Sequence, residues 1–364
     1  MLPLLELTID LDAVVANWRV LRGMSKPARC AAVVKADAYG LGMERVAPAL
    51  AAAGCDTFFV ATADEGLALR RLLDDATIAV LAGPAGAAAE MAAAALLPVL
   101  NDFGQIAEWR AEAKRLGREL PAALHLDSGM SRLGLDEDAV NRLADQPGLL
   151  GGLHIVLVMS HLACADEPDS PMNDAQVERF GDLGDRLRLT APRSLAASSG
   201  IWLGPQAHFD LVRPGMALYG LNPIPGAANP MRPVVQLDAK ILQIRDVDTP
   251  MTVGYGATHR FKGPGRTATA AVGYADGYLR SLGNSGQGII KGERVPVVGR
   301  ISMDLTVFDV SALPPGDVAP GDRVTLIGPG HDADALAAEA GTIGYEILTA
   351  LGHRATRRYL GGAA

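Results

Sequence analysis

The stretch "AAVVKADAYGLG" (Ala31–Gly42) brings four small or apolar residues to a lysine and then turns polar and glycine-rich. An apolar run without alternation reads as a strand covered on both faces, the kind found in parallel sheets. It delivers Lys35 to the strand's C-terminal end, either as a solvated strand end or as an amine placed for chemistry. Counting that strand as residues 30–35, further apolar segments follow at 57–61, 78–82, 97–100, 122–127, 153–161 and 194–198, with a weaker one near 209–213. Segments of helical pattern lie between them. "FGQIAEWRAEAKRLG", for example, has apolar residues at i, i+3, i+4 spacing and a closing glycine. Eight such units in about 200 residues predict a closed (β/α)8 barrel. A doubly wound open sheet is the alternative if one strand is miscounted.

The rhythm changes after about residue 230. "VVQLDAKILQIRDV", "RTATAAVGYADG", "RVPVVGRISMDLTVFDVS" and "DRVTLIG" are strand-like, and the next helical segment is "DADALAAEA". The expected organisation is a barrel over residues 1–230 and a mainly β domain over 231–364. The proline-rich "NPIPGAANPMRP" forms the linker, and the first few residues pair with the second domain. With 364 residues, 49% hydrophobic, a large core is available. The net charge of -8 argues against a nucleic-acid partner. Cys30, Cys55 and Cys164 form no even framework and no metal-like spacing, which fits a reduced compartment and small buried side chains. Trp18, Trp109 and Trp202 read as packing residues. "MLPLLELTIDLDA" lacks the features of a signal peptide, so a cytoplasmic location is expected. The apolar run Leu149–Ala165 contains His154 and His161 and reads as a buried strand, not a membrane span.

Barrels work where strands end and βα loops begin. The first strand end supplies Lys35 and then Tyr39. The fifth is followed by "DSGMSRLG" with Arg132, the sixth ends in His161, and the seventh ends in Ser198–Gly200. The eighth leads into "VRPGMALYG" with Arg213 and Gly215. Each residue alone has a bland reading as a strand end or a surface ion pair, but together they suit an aldehyde cofactor that carries a phosphate. A lysine amine can form a Schiff base, and backbone N–H groups near Ser199, Gly200 and Gly215 can cradle a phosphate at the late strands. Pyridoxal 5'-phosphate meets both requirements.

"VVKADAYGLG", "DSGMSRLG", "SHLACAD", "VRPGMALYG", "VGYGATHRF", "VGYADGY" and "GRISMDLT", in this order over nearly the whole chain, resemble alanine racemase, a fold-type III pyridoxal-phosphate enzyme. The resemblance implies a barrel followed by a β domain, assembled as a head-to-tail homodimer whose sites use residues of both subunits. It implies that Lys35 holds the cofactor covalently and that Tyr255 is a catalytic tyrosine reaching the partner's site. Arg132 would steady the Tyr255 phenolate and meet the substrate carboxylate, and Met303 would offer its backbone N–H to that carboxylate, with Asp304 supporting its loop. His161 and Arg213 would lie beneath the cofactor ring. Tyr39, Ser199, Gly215 and Tyr345 would hold the phosphate, with Ser198 and Met216 beside the cofactor. Tyr274 lines the substrate path or packs within the β domain.

The chemistry is consistent with this set. Racemisation removes a proton from one face of Cα and returns it on the other, so two bases must face each other. Lys35 is one and Tyr255 the candidate for the other. A tyrosine, with an ordinary pKa near ~10, needs a cation to favour its phenolate, and Arg132 supplies one. A carboxylate beside the cofactor nitrogen would keep it protonated and strengthen the electron sink. Arg213 stands there instead and leaves the carbanion shorter-lived, which disfavours transamination.

Three departures from the family pattern stand out. Leu41 replaces a common histidine and is read as loop packing. Ser198 replaces an asparagine. His125 occupies the place of a lysine that many relatives carbamylate to orient the arginine, so Arg132 needs a bound anion, a water or Asp127 instead. The plain alternative makes His125 a core-facing strand residue with one backbone hydrogen bond. Competing functions are a broad-specificity or serine racemase, a decarboxylase or aldolase on a related barrel, and a pyridoxal-phosphate carrier without turnover. The presence of a second domain with its tyrosine argues against the carrier.

Overall fold

The computed structural model describes residues 3–362. It divides into two compact units. One is built from Val14–Ala38 and Gly42–Arg232. The other takes the chain up to Ala13, Tyr39–Leu41, and the chain from Pro233.

The first unit is the barrel. Its first strand is split into Arg29–Cys30 and Ala32–Val33. The strands Thr57–Val60, Thr77–Val80, Leu97–Leu100, Leu120–His125, Leu153–Met159 and Arg193–Ser194 follow in a parallel ladder in chain order. Leu211–Val212 pairs parallel with Arg29–Cys30 and closes the ring. Its flanks bond back to the seventh strand, Asp210 N–H to Arg193 O at 2.9 Å and Arg213 N–H to Ala196 O at 2.9 Å. The closed parallel ring is the expected architecture, and the open doubly wound sheet is excluded. The strands are buried because their residues have few polar side chains to present, as with Phe58, Phe59 and Val60, all fully buried.

Helices cover the outside. Phe103–Leu116 shows how sequence sets them. Asp102 caps its start by accepting from Gln105 N–H at 2.9 Å, and Gly117 ends it in the left-handed region. Such caps contribute about 1 kcal/mol each. Ile106, Trp109 and Ala113 form its buried stripe, and Trp109 Nε1–H bonds Pro121 O at 3.0 Å, fixing the helix on the fifth strand. The expected strands at 153–161 and 194–198 stop early, at Met159 and Ser194. Beyond these points the chain leaves the sheet to form the rim turns.

The second unit is mainly β. Its long strand Val235–Val247 pairs antiparallel with Leu5–Asp10, Gly265–Ala270 and Arg323–Ile327. Leu5–Asp10 alternates buried and half-buried residues, with Leu5, Leu7 and Ile9 facing the core. On its other edge it pairs parallel with Thr356–Leu360. Helix Ala333–Ala340 lies where "DADALAAEA" predicts one. A further helix, Gly344–Ala350, has no clear periodic signal in the sequence and carries Tyr345.

Candidate active site

Lys35 stands where the first barrel strand ends. From Ala36 to Tyr39 the backbone runs left-handed, with φ of 52°, 54°, 54° and 57°. L-residues enter this region at a cost of roughly 1–2 kcal/mol each, so the turn must be held from outside. Asp37 supplies part of the hold: its Oδ1 accepts from Met43 N–H at 2.7 Å and its carbonyl from Gly42 N–H at 2.9 Å. Glu65 supplies more, accepting from Ala36 N–H at 2.7 Å. Lys35 is half-buried, and its pKa is lowered by burial first and then by the Arg132 charge, against an upward pull from Glu65. A lysine so placed offers a larger fraction of neutral, nucleophilic amine.

Arg213 is 3% exposed, and its donors are fixed by the ends of the sixth and seventh strands. It donates to Ser194 Oγ at 2.5 Å, Ser160 O at 2.6 Å and Leu195 O at 3.3 Å. Ser194 in turn donates to Leu211 O at 2.5 Å. Burial pushes the Arg213 pKa down to about 9, which leaves it a cation at neutral pH. It also faces His161 Nδ1 at 3.5 Å, and its guanidinium carbon lies 5.8 Å from the centroid of the Phe59 ring. An arginine can only donate, so Nδ1 accepts and the imidazole proton sits on Nε2. Burial, then the charges of Arg213, Arg132, His125 and Lys35, push His161 down to about 3.

His125 is fixed from the opposite side. Asn101 Nδ2 donates to Leu81 O, Val99 O and Gln105 Oε1, at 3.1, 2.9 and 3.1 Å. Its oxygen therefore faces His125 Nδ1, at 2.7 Å, and must accept. His125 thus carries its proton on Nδ1 and presents a lone pair at Nε2. The partner is a side chain, which corrects the plain expectation of a backbone bond. Burial first, then Arg213, push His125 down to about 4. The sign of the linkage follows from this depression. A histidine whose folded pKa lies below its unfolded value of ~6.5 takes up a proton on unfolding, so stability falls as pH drops from ~6.5 towards 4. In urea titrations of the cofactor-stripped protein between pH 7 and pH 4.5, His125→Asn should flatten the acid loss by roughly 2 kcal/mol. An unchanged slope would show that His125 does not set it.

Arg132 rides on a loop braced by Asp127, whose Oδ1 accepts the N–H groups of Gly129, Met130 and Ser131 at 2.9, 2.9 and 3.1 Å. The loop is tied at its base by Leu135 N–H to His125 O and Asp127 N–H to Leu135 O, both 2.8 Å. Gly134 makes this return possible. Its φ is +108°, and a Cβ there would lie 2.9 Å from Asp127 N. Asp127 serves as the loop's brace and makes no ion pair with Arg132, contrary to one sequence expectation. Among the described residues the exposed Arg132 guanidinium has no hydrogen-bond or ion-pair partner.

At the late strands the Ser198 hydroxyl accepts from Gly215 N–H at 3.0 Å and Ala217 N–H at 3.2 Å. Ser199 and Met216 open the adjoining short turns Ser199–Leu203 and Met216–Tyr219, both residues buried. Tyr219 O–H donates to Val33 O at 2.8 Å, tying this turn to the lysine strand. The set comprises an amine, two guanidiniums, two neutral histidines and a hydroxyl–amide turn. Glu65 is the only carboxylate among the charges acting on Lys35. Glu65 and Asp127 accept from backbone N–H groups and, among the described residues, make no ion pair with these cations, so an anionic aldehyde such as pyridoxal phosphate fits the set in charge and reactivity.

The remaining candidates belong to the second unit. Tyr39 is buried, which raises its pKa, and its ring centroid lies 6.1 Å from that of Tyr345. Gly40 follows at φ +82°, where a Cβ would lie 2.5 Å from Leu348 O. Tyr255, Tyr274 and Met303 are 71%, 42% and 53% exposed. Tyr274 N–H and Ala275 N–H bond Ser302 O and Met303 O at 3.1 and 3.0 Å, joining the "GYADG" and "ISMD" turns. Arg354 clamps the same junction, with Nη1 on Asp304 at 2.8 Å and Nε on Asp276 at 3.0 Å. Sequence reasoning missed Arg354, Glu65 and Asn101. Asn101 directly follows the fourth strand, so a rim inventory extended to every strand end would have found it.

Among the described residues no helix is long and apolar enough to cross a membrane. Residues 9–223 match the family described as alanine racemase, N-terminal domain, and residues 234–359 match alanine racemase, C-terminal domain. The chain is 54% identical over 359 residues to an alanine racemase of Rhodospirillum rubrum, covering 98% of this chain and 96% of that one. It is 55% identical over 352 residues to one of Acidiphilium cryptum, covering 96% and 97%. A solved alanine racemase from Bartonella henselae with covalently bound pyridoxal phosphate superposes with a TM-score of 0.95 at 39% identity, covering 99% of this chain and 100% of that one. Motif order, barrel, β unit and these likenesses agree that the chain belongs to the alanine racemase family.

Proposed function

We infer that this protein interconverts L- and D-alanine with pyridoxal 5'-phosphate, as a cytoplasmic homodimer that supplies D-alanine for bacterial peptidoglycan. The observation that carries this reading is the Lys35 amine at the end of the first barrel strand, its pKa lowered by burial and by the Arg132 charge. When bound, the cofactor supplies an electron sink for the charge that develops at the substrate Cα.

The chain's own residues account for the rest. Lys35 holds the cofactor and moves the proton at one face of Cα. Tyr255 moves the proton at the other face, in the partner's site, and its 71% exposure supports that reach. Arg132, without a partner in its own loop, binds the substrate carboxylate together with the Met303 N–H, and the Arg354–Asp304 ion pair holds the Met303 turn in place. Arg213, already held by three acceptors, presents a cation and not a proton acceptor, with neutral His161 beside it. Ser198, Ser199, Gly215 and Met216 form the phosphate turn, with Tyr39 and Tyr345 as its phenols. The His125 carbonyl supports the loop of Arg132 by accepting from Leu135 N–H, and Tyr274 lines the substrate path. Residues 1–230 form the cofactor-binding barrel, and residues 231–364 form the mainly β domain that lends Tyr255 and Met303 to the partner.

The test is reductive labelling of the yellow, cofactor-loaded protein. Borohydride followed by peptide mapping should place the label on Lys35, and purified protein should erase the optical purity of L-alanine. A label on Lys240, Lys262 or Lys291 overturns the assignment. A panel of L-amino acids separates alanine specificity from the broad-specificity alternative.

A further inference from the structure

Glu65 sits in the first turn of helix Ala63–Arg70, where an acid is ordinarily explained by the helix dipole. Its two oxygens are committed elsewhere. Oε1 accepts from Ala36 N–H at 2.7 Å, and Oε2 accepts from Ala61 N–H at 2.7 Å. Ala36 is the first left-handed residue after Lys35, and Ala61 directly follows the second barrel strand. The Ala36 N–H lies at the start of a turn of reversed hand, where no internal acceptor is available to it. One carboxylate therefore bridges the strained turn that carries the lysine to the neighbouring strand, through two charge-assisted bonds.

We propose that Glu65 is a positioning residue for Lys35: its carboxylate bridges the Ala36 and Ala61 amides and so fixes the backbone from which the lysine amine reaches the cofactor. This rests on the reading of Lys35 as the cofactor lysine. It predicts that the carboxylate governs how the cofactor is held, whereas a helix-dipole role would affect only the stability of the helix. The charged groups acting on Lys35 are Arg132 and Glu65, and Lys35 and Arg132 both act on His161. With Glu65 neutralised, the cations remain unopposed, so the lysine linkage should lose its proton at lower pH.

The experiment uses the loaded protein and three variants. Glu65→Gln keeps the shape but turns one acceptor into a donor. Glu65→Asp keeps the charge but shortens the reach. Asp64→Asn removes the other first-turn acid of the same helix, whose side chain takes no part in the bridge. The readouts are the rate of cofactor loss to a competing hydroxylamine, the pH midpoint of the long-wavelength absorbance of the lysine-linked cofactor, and Tm. Glu65→Gln should lose cofactor about tenfold faster or more, the scale of a charge-assisted hydrogen bond, with the midpoint moved to lower pH. Glu65→Asp should lose cofactor faster with little movement of the midpoint. Asp64→Asn should change neither. The proposal is overturned if Glu65→Gln retains cofactor as the parent does, or if both it and Asp64→Asn lower Tm and leave retention and midpoint untouched. Should Glu65→Gln not fold, Glu65→Asp decides, and unchanged retention there overturns the proposal. Borohydride labelling shifted from Lys35 in the parent protein would instead break the reading of Lys35 itself.

Discussion

Tyr255→Phe is expected to lower the racemisation of alanine at least ~10²-fold, the low end of what a positioned general base contributes, while the protein stays yellow and still binds alanine. The substitution keeps the ring on its exposed turn and removes only the hydroxyl. Hydrogen exchange at Cα in D2O distinguishes the possible causes. The variant should still exchange the proton of D-alanine, through Lys35 and with retention, while exchange from L-alanine nearly stops. Equal loss from both enantiomers would make Tyr255 a positioning residue. Undiminished exchange from both would place the second base elsewhere.

Mixing two dead variants should recover activity. Lys35→Ala lacks one base and the cofactor anchor, and Tyr255→Phe lacks the other base. If each site draws Lys35 from one subunit and Tyr255 from its partner, a mixed dimer has one intact site and one doubly impaired site. With random assortment half the dimers are mixed, so about a quarter of the parent activity returns. Activity of the unmixed parent should also fall on dilution in step with dimer dissociation. Mixed dimers that form and stay inactive would show that Tyr255 serves its own chain.

The barrel was legible because its strands are short apolar runs whose period differs from that of the helices between them. Every predicted barrel strand overlaps one in the structure. Strand ends were overextended at 153–161 and 194–198, since the apolar pattern persists where the backbone has already left the ladder. The supports of the site were harder to read. Glu65 reaches a residue 29 positions away, Asn101 meets His125 across 24, and Arg354 meets Asp304 across 50. Each residue has a sufficient local explanation, as a helix-start acid, a strand-end amide or a surface cation. Only the fold brings it to its partner. The reversed hand of residues 36–39 was also hidden, since Ala36, Ala38 and Tyr39 carry no preference for it, Asp37 is the one residue there that tolerates it readily, and part of the cause lies in Glu65 on another element.

The strand Leu5–Asp10 lies between Val235–Val247 on one edge and Thr356–Leu360 on the other. On the ribosome this has a consequence for the order of folding. The barrel's strands and helices are nearly consecutive in the chain and can assemble as they emerge. The strand Leu5–Asp10 must wait for one partner more than two hundred residues later, and for the other more than three hundred residues later. Throughout that interval Leu5, Leu7 and Ile9 form an apolar stripe on an unpaired edge, the kind of surface that recruits chaperones or neighbouring nascent chains. Shielding of Leu5–Asp10 until Thr356–Leu360 is made is therefore expected to weigh on the yield of this protein in a cell.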